Sequence, residues 1–173
     1  AGYYRCALER SGVEVELTAS DRVGHHRWTL EKRDTLQLIV DLAHRDELIN
    51  YGMYPLDDST LVGQRVSDNW AEEQHVYFAM RFSRPFEWLD QMAELETNEV
   101  NGNLEQELSF VPIFSMAFKD VESVEARVSL SFVDIEGAVQ NLNSEAPKSL
   151  GCDAALEAAE GRWDGALSRI EIV

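Results

Sequence analysis

Val13, Val15 and Leu17 alternate with Glu14, Glu16 and Thr18, so one face of this segment is apolar and the other polar. That is the pattern of a half-buried strand. Ser11-Gly12 just before it is a turn signal, and Tyr3–Leu8 with Val13–Ala19 predicts a hairpin. Arg22–Leu30 is a weaker strand, with Val23 and Trp28 as its apolar members. Leu36, Leu38, Val40 and Leu42 alternate with Gln37, Ile39, Asp41 and Ala43, one apolar face against one mixed, as in a central strand. The pattern breaks from Asn50 to Thr60, where Tyr51-Gly52 and Pro55–Ser59 read as a loop or turn. Thr60–Ser67 and His75–Ser83 resume strand character, and in the second Val76, Phe78, Met80 and Phe82 share a face. Pro85 ends that run or places it at an edge. Glu87–Leu95 continues as a strand, and Thr97–Asn103, with Asn101-Gly102, is a tight-turn candidate. Leu108–Phe118 and Val121–Val133 follow as two strands joined by Lys119-Asp120, the last lining one face with Val124, Ala126, Val128, Leu130 and Phe132.

The period then changes. Ile135, Ala138, Val139 and Leu142 recur at helical spacing, with Asp134 as the N-cap and Pro147 as the stop. A second helix starts near Asp153, its stripe formed by Leu156, Ala159, Trp163 and Leu167 and weakened by Gly161 and Gly165. Ile170 and Ile172 alternate again, as in a linker leading away. Strands first and helices last predict a mainly β fold, an antiparallel sheet-on-sheet sandwich with two C-terminal helices, rather than a βαβ sheet. The expected division is a β-sandwich segment over 1–133 and a helical tail and linker over 134–173.

Charge narrows the partners. With 32 acidic and 15 basic residues, the formal net charge is -17. Such a chain repels phosphate backbones and anionic lipid, so nucleic acid and membrane surfaces are not expected partners. No apolar run approaches the roughly 20 residues of a membrane-spanning helix. The simplest reading of the charge is solubility.

Candidate chemistry is sparse. Adjacent His25 and His26 on a strand point to opposite faces, and nothing in the spacing of His44, Asp46 or His75 predicts a converging metal site. Cys6 and Cys152 lie near opposite ends, without thiolate metal spacing; two free thiols are expected, and a disulfide only if the ends meet. A glycosidase needs two carboxylates roughly 5 to 10 Å apart, but so acidic a chain always supplies such a pair. There is no nucleophile elbow and no phosphate-cradling glycine loop. Trp70 lies in a polar stretch, Ser67–Gln74, and is a ligand platform, an anchor for a neighbouring domain, or a loop residue folded onto its own core. Trp70, Gln74 and His75 are the candidate carbohydrate or domain-interface contacts, and no catalytic or metal-binding residue is assigned.

Several stretches carry a resemblance. They are Gly2-Tyr3-Tyr4, Glu16–Arg27, Leu38–Leu42, Trp70–Phe78 running into Phe82–Phe86, Ser131–Ala138 with Asn141-Leu142, and Trp163–Glu171. Together and in order they resemble the N-terminal domain of glycoside hydrolase family 92, calcium-dependent exo-acting α-mannosidases often described as α-1,2-mannosidases. The sequence departs from the family pattern at Asp68-Asn69 and at Glu73. The resemblance implies a supersandwich-like N-terminal domain beside a C-terminal (α/α)6 catalytic domain. General acid, general base and calcium ligands are expected in that second domain, with no cofactor in this chain. It further implies an interior piece of a periplasmic or secreted enzyme acting by inversion on α-mannoside glycans, with this segment as non-catalytic scaffold. A free-standing carbohydrate-binding module is the alternative. Exposed sheet edges on such a piece also predict a possible homo-oligomer.

Overall fold

The computed structural model describes residues 1–100 and 103–169, with side chains outside 90–110. Eight antiparallel strands precede two helices: β1 Tyr3–Leu8, β2 Val13–Ala19, β3 Val23–Asp41, β4 Glu47–Pro55, β5 Thr60–Asp68, β6 Gln74–Phe82, β7 Glu87–Val100, β8 Asn103–Ser131, α1 Ile135–Glu145 and α2 Cys152–Leu167. They form one hydrogen-bonded sheet in the order β1-β2-β3-β8-β6-β5-β4, with β7 pairing β8 off this path.

The sandwich arises because this sheet folds over itself. Phe82 pairs in register with Ala126. Phe118 is eight residues earlier on the same β8 strand, roughly 26 Å away along a straight strand. Yet the Phe82 and Phe118 ring centroids are 5.0 Å apart. β8 must therefore bend between them, and it does so where Asp120 adopts a left-handed φ of 53°. β3 bends beside it, with register shifts between Thr29, Asp34 and Leu36. Phe114, Met116, Phe118, Leu61, Phe78 and Phe82 are thereby enclosed in one core.

These bends correct two expectations. The segments 22–30 and 36–42 belong to one strand, β3, and 108–118 and 121–133 belong to one strand, β8. Lys119-Asp120 is a kink, not a connection, because a bulge interrupts face alternation without ending the ladder. The expected loop from Asn50 is also corrected: β4 runs to Pro55, and only the short turn before Thr60 is irregular. A register shift between Leu48 and Asn50 breaks the alternation there, and the outward Ile49 and Tyr54 are exposed while Met53 is buried. The β1–β2 hairpin and the β5 and β6 runs form as predicted, whereas β7 runs past the expected Leu95 to Val100, its ladder with β8 continuing through Thr97–Val100 where the sequence predicts a turn. Asn101-Gly102 and Ile170–Ile172 lie outside the described residues.

α1 forms on the predicted stripe. Asp134 caps it, accepting from the Gly137 N–H at 2.6 Å, and Ala138, Leu142 and Ala146 are buried against Val23, Val62 and Ala79 of the sheet. α2 differs from its expected stripe. Cys152, Ala155 and Ala159 are its buried residues, while Trp163 and Leu167 stay half-exposed. Small residues let this helix lie close to β2. Trp163 instead covers Gly2, where φ is +87° and an added Cβ would lie 2.7 Å from the indole Cδ1.

Candidate functional site

The β5–β6 hairpin carries all three residues singled out from the sequence. Trp70 lies in its turn and is 97% exposed. Gln74 and His75 open β6, paired with Ser67 and Val66, and both are exposed. Adjacent positions on a strand send Gln74 and His75 to opposite faces, and the His75 ring stacks on Tyr77 at 6.4 Å. The structure thus places the three on one hairpin without converging them on a pocket. Of the three readings of Trp70, folding onto its own core is ruled out by its exposure.

The hairpin is nonetheless held in place. Asn69 donates to Asp46 at 3.0 Å. Arg65 of β5 donates to the Leu42 carbonyl at 2.8 Å, the Arg45 carbonyl at 2.6 Å and the Ser67 hydroxyl at 2.6 Å. These bonds clamp the 42–46 loop, where Arg45 and Asp46 both have left-handed φ, against the base of the hairpin. His44 and Asp46 therefore serve this clamp: the His44 carbonyl accepts from Arg65.

The helix-covered face of the sheet holds a second set of residues that alternation alone does not reveal. Cross-strand register arranges it in rows. Val62, Ala79, Ser129 and Val23 form an apolar row under α1, closed by the Ser129 hydroxyl donating to the Ala138 carbonyl at 2.7 Å. Two residues along, Thr60, Arg81, Arg127, His25 and Thr18 form a buried polar row across five strands. One step further, Glu125, Arg27 and Glu16 form a charged row. There Arg27 bridges Glu125 at 2.8 Å, Glu16 at 3.3 Å and Asp153 of α2 at 2.7 Å. Burial disfavours the Arg27 charge, but bonds to Asp153 and Glu125 outweigh it and raise its pKa. Glu125 also accepts from the Cys152 N–H at 3.2 Å, holding the start of α2.

Within the polar row, neither ring nitrogen of His25 has a hydrogen-bond partner. Burial, and then the Arg127 charge, lower its pKa, so the ring is held neutral. The sequence signals were present: two arginines and a histidine on strand faces opposite the core. Nothing local in the sequence indicates that helices cover that face.

At the rim, Glu145 accepts from the Ser20 hydroxyl at 2.5 Å and the Arg22 N–H at 2.9 Å. Burial would raise its pKa, but these bonds and the Arg22 guanidinium outweigh that and bring it to about 2. Among the described residues, no group of three or more His, Cys, Asp or Glu side chains is placed to hold a metal ion. Cys6 and Cys152 are free thiols, and burial raises the Cys152 pKa, which makes it a poor nucleophile.

Comparison with known families assigns the domain. The family model described as glycosyl hydrolase family 92 N-terminal domain matches residues 1–131. The chain belongs to glycosyl hydrolase family 92. Solved structures share the fold of this family 92 domain. The α-mannosidase BT3965 from Bacteroides thetaiotaomicron superposes with a TM-score of 0.78 at 20% identity, over 99% of this chain and 24% of that one. The inverting mannosidase BT2199 from Bacteroides thetaiotaomicron VPI-5482 gives 0.70 at 18% identity, over 99% and 23%. The family 92 glycosyl hydrolase ccman5 gives 0.70 at 23% identity, over 93% and 21%. The family 92 domain thus spans about a quarter of the length of these enzymes. A comparison with curated protein sequences gives no match.

Proposed function

We propose that this chain is the non-catalytic N-terminal β-domain of an exo-α-mannosidase and scaffolds a C-terminal (α/α)6 catalytic domain. The observation that carries the reading is the family match over residues 1–131, on a chain that superposes almost entirely on a quarter of a mannosidase. In the whole protein the substrate is an α-1,2-mannoside glycan in the periplasm or outside the cell. Hydrolysis proceeds with inversion, one carboxylic acid protonating the leaving oxygen while a base-activated water attacks the opposite face. Calcium belongs to the catalytic portion.

The surface is consistent with a partner domain. Leu130, Phe132 and Val133 are 43%, 67% and 78% exposed at the end of β8. They border an open groove with Val128, Val23 and Asn141. Apolar side chains gathered at one place mark an interaction face. Trp70, Gln74 and His75 are assigned to contact with that domain or its glycan.

The test is turnover of an aryl α-mannoside. The full-length protein is expected to hydrolyse it in calcium and release β-mannose first by NMR, with the chain alone silent. Turnover by the chain alone would overturn the reading. The exposed Trp70 favours one second reading, a carbohydrate-binding module. Saturable heat on titrating the chain with mannose or mannobiose would establish that instead.

A further inference from the structure

Arg81 on β6 and Arg127 on β8 stand directly opposite each other in the polar row. Like charges placed so are destabilising, and both residues are more than nine-tenths buried, at 8% and 6% exposure. The neighbouring row shows how the same sheet neutralises such charge: Arg27 lies between Glu16 and Glu125 and pairs with both. The Arg81–Arg127 row has no carboxylate member. Arg81 donates from Nη2 to the Asn143 side-chain Oδ1 at 2.7 Å, and among the described residues the ion-pair partner of Arg127 is Glu125, at 3.7 Å. Glu125 is already committed to Arg27 and the Cys152 N–H. Asp57, the next acid, accepts from the Ser59 N–H at 2.8 Å and hydroxyl at 3.1 Å. Among the described residues, Nε of Arg81 and Nε of Arg127 have no hydrogen-bond partner.

Arg81 and Arg127 both line an open cavity of about 300 Å³, together with Ser59, Arg84 and Lys148. Its lining contains four cationic residues and no acidic one, in a chain of net charge -17. Arg84 and Lys148 form no ion pair among the described residues. Two buried arginines opposite each other, with Glu125 no nearer than 3.7 Å to Arg127, lining a cavity whose other charged residues are cationic, are a charge arrangement that an anion completes.

We propose that this cavity is an oxyanion site that takes one carboxylate or phosphate group. Arg81 and Arg127 supply charge-assisted hydrogen bonds from the floor, and Arg84 and Lys148 supply charge at the rim. The Ser59 hydroxyl lies at the same mouth. The group comes either from a free anion or from an acidic side chain elsewhere in the same polypeptide.

The site is tested by titrating the chain with inorganic phosphate at constant ionic strength, following the arginine Nε–Hε NMR signals and binding heat. Saturable movement of the Arg81 and Arg127 signals is expected. Arg127→Met should weaken the affinity at least about tenfold, the effect of one charge-assisted bond. Lys148→Ala, an exposed change that leaves the fold intact, should weaken it severalfold and serves if the buried variant fails to fold. Repeating the titration on the full-length protein separates the sources. A response there assigns a free anion; no response there, with a response in the chain, assigns a carboxylate of the same polypeptide. No saturable response in the chain, or one unchanged in both variants, would overturn the proposal.

Discussion

Glu145, in the last turn of α1, accepts a hydrogen bond at 2.9 Å from the backbone N–H of Arg22 in the β2–β3 turn. An acid at a helix C-terminus is unfavourable against the helix dipole, so this contact offsets a local cost by joining the helix to the sheet. Ser20 and the Arg22 guanidinium complete the clasp. Its pKa is depressed from 4.5 to about 2. The stability it contributes is therefore complete above about pH 4.5 and lost as the pH falls through about 2. Glu145→Gln should lower stability at pH 7 by roughly 1–3 kcal/mol and flatten its pH dependence in that acid range. Urea unfolding at pH 7 and pH 3 measures both effects; an unchanged pH profile would refute the clasp.

His25 gives a second, separate window. Its pKa is depressed from 6.5 by burial and by Arg127, with His26 acting the same way and Glu125 and Glu145 opposing. The unfolded chain takes up the proton first as pH falls, so stability declines below about pH 6.5. His25→Leu removes that titration together with two unpartnered buried nitrogens. Comparing urea midpoints at pH 7.5 and pH 5.5 should show a smaller drop in the variant than in the parent chain.

Gly63 and Phe78 are register partners on β5 and β6. A Cβ at Gly63 would lie 2.4 Å from Phe78 Cζ and 2.5 Å from the Gly52 carbonyl oxygen. The ring can turn away, but the carbonyl belongs to a paired strand and cannot. Gly63→Ala is expected to cost about 1–3 kcal/mol or more by chemical denaturation. Phe78→Leu in the same chain should restore only part of it, and full restoration would mean the backbone contact is harmless.

Trp70 has the opposite expectation. With its ring almost fully in solvent, Trp70→Ala should change the stability of the chain by less than about 0.5 kcal/mol. Under the proposed function, the same change in the full-length protein should raise KM for an α-mannoside or loosen the domain contact. A lowered thermal midpoint of the chain itself would place the ring in packing that the structure does not show.

Much of this architecture is legible along the chain. Val13, Val15 and Leu17 announce β2, and Ile135, Ala138 and Leu142 announce α1, because alternation and helical spacing are local consequences of one-sided burial. Trp70, Gln74 and His75 lie within six residues of sequence, so their sharing a hairpin is legible too. The continuity of β3 and β8 is not. A bulge at Asp120 shifts the face pattern as a chain reversal does, and only pairing with β3 distinguishes them. The α2 stripe also misled, because Ala155 and Ala159 carry little hydrophobic signal although their small size is what lets the helix approach the sheet.

The sequence alone determined that this is a mainly β domain with two terminal helices, and it carried the family 92 resemblance. Each of those rests on short-range periodicity or on ordered motifs. The tertiary structure decided that one sheet folds over itself, and that Arg81, Arg127 and His25 meet in a buried row. Strand periodicity reports which residues share a face, but not what covers the face. That is settled by register between segments distant in the chain, and here the helices that close over the row follow every strand of the sheet.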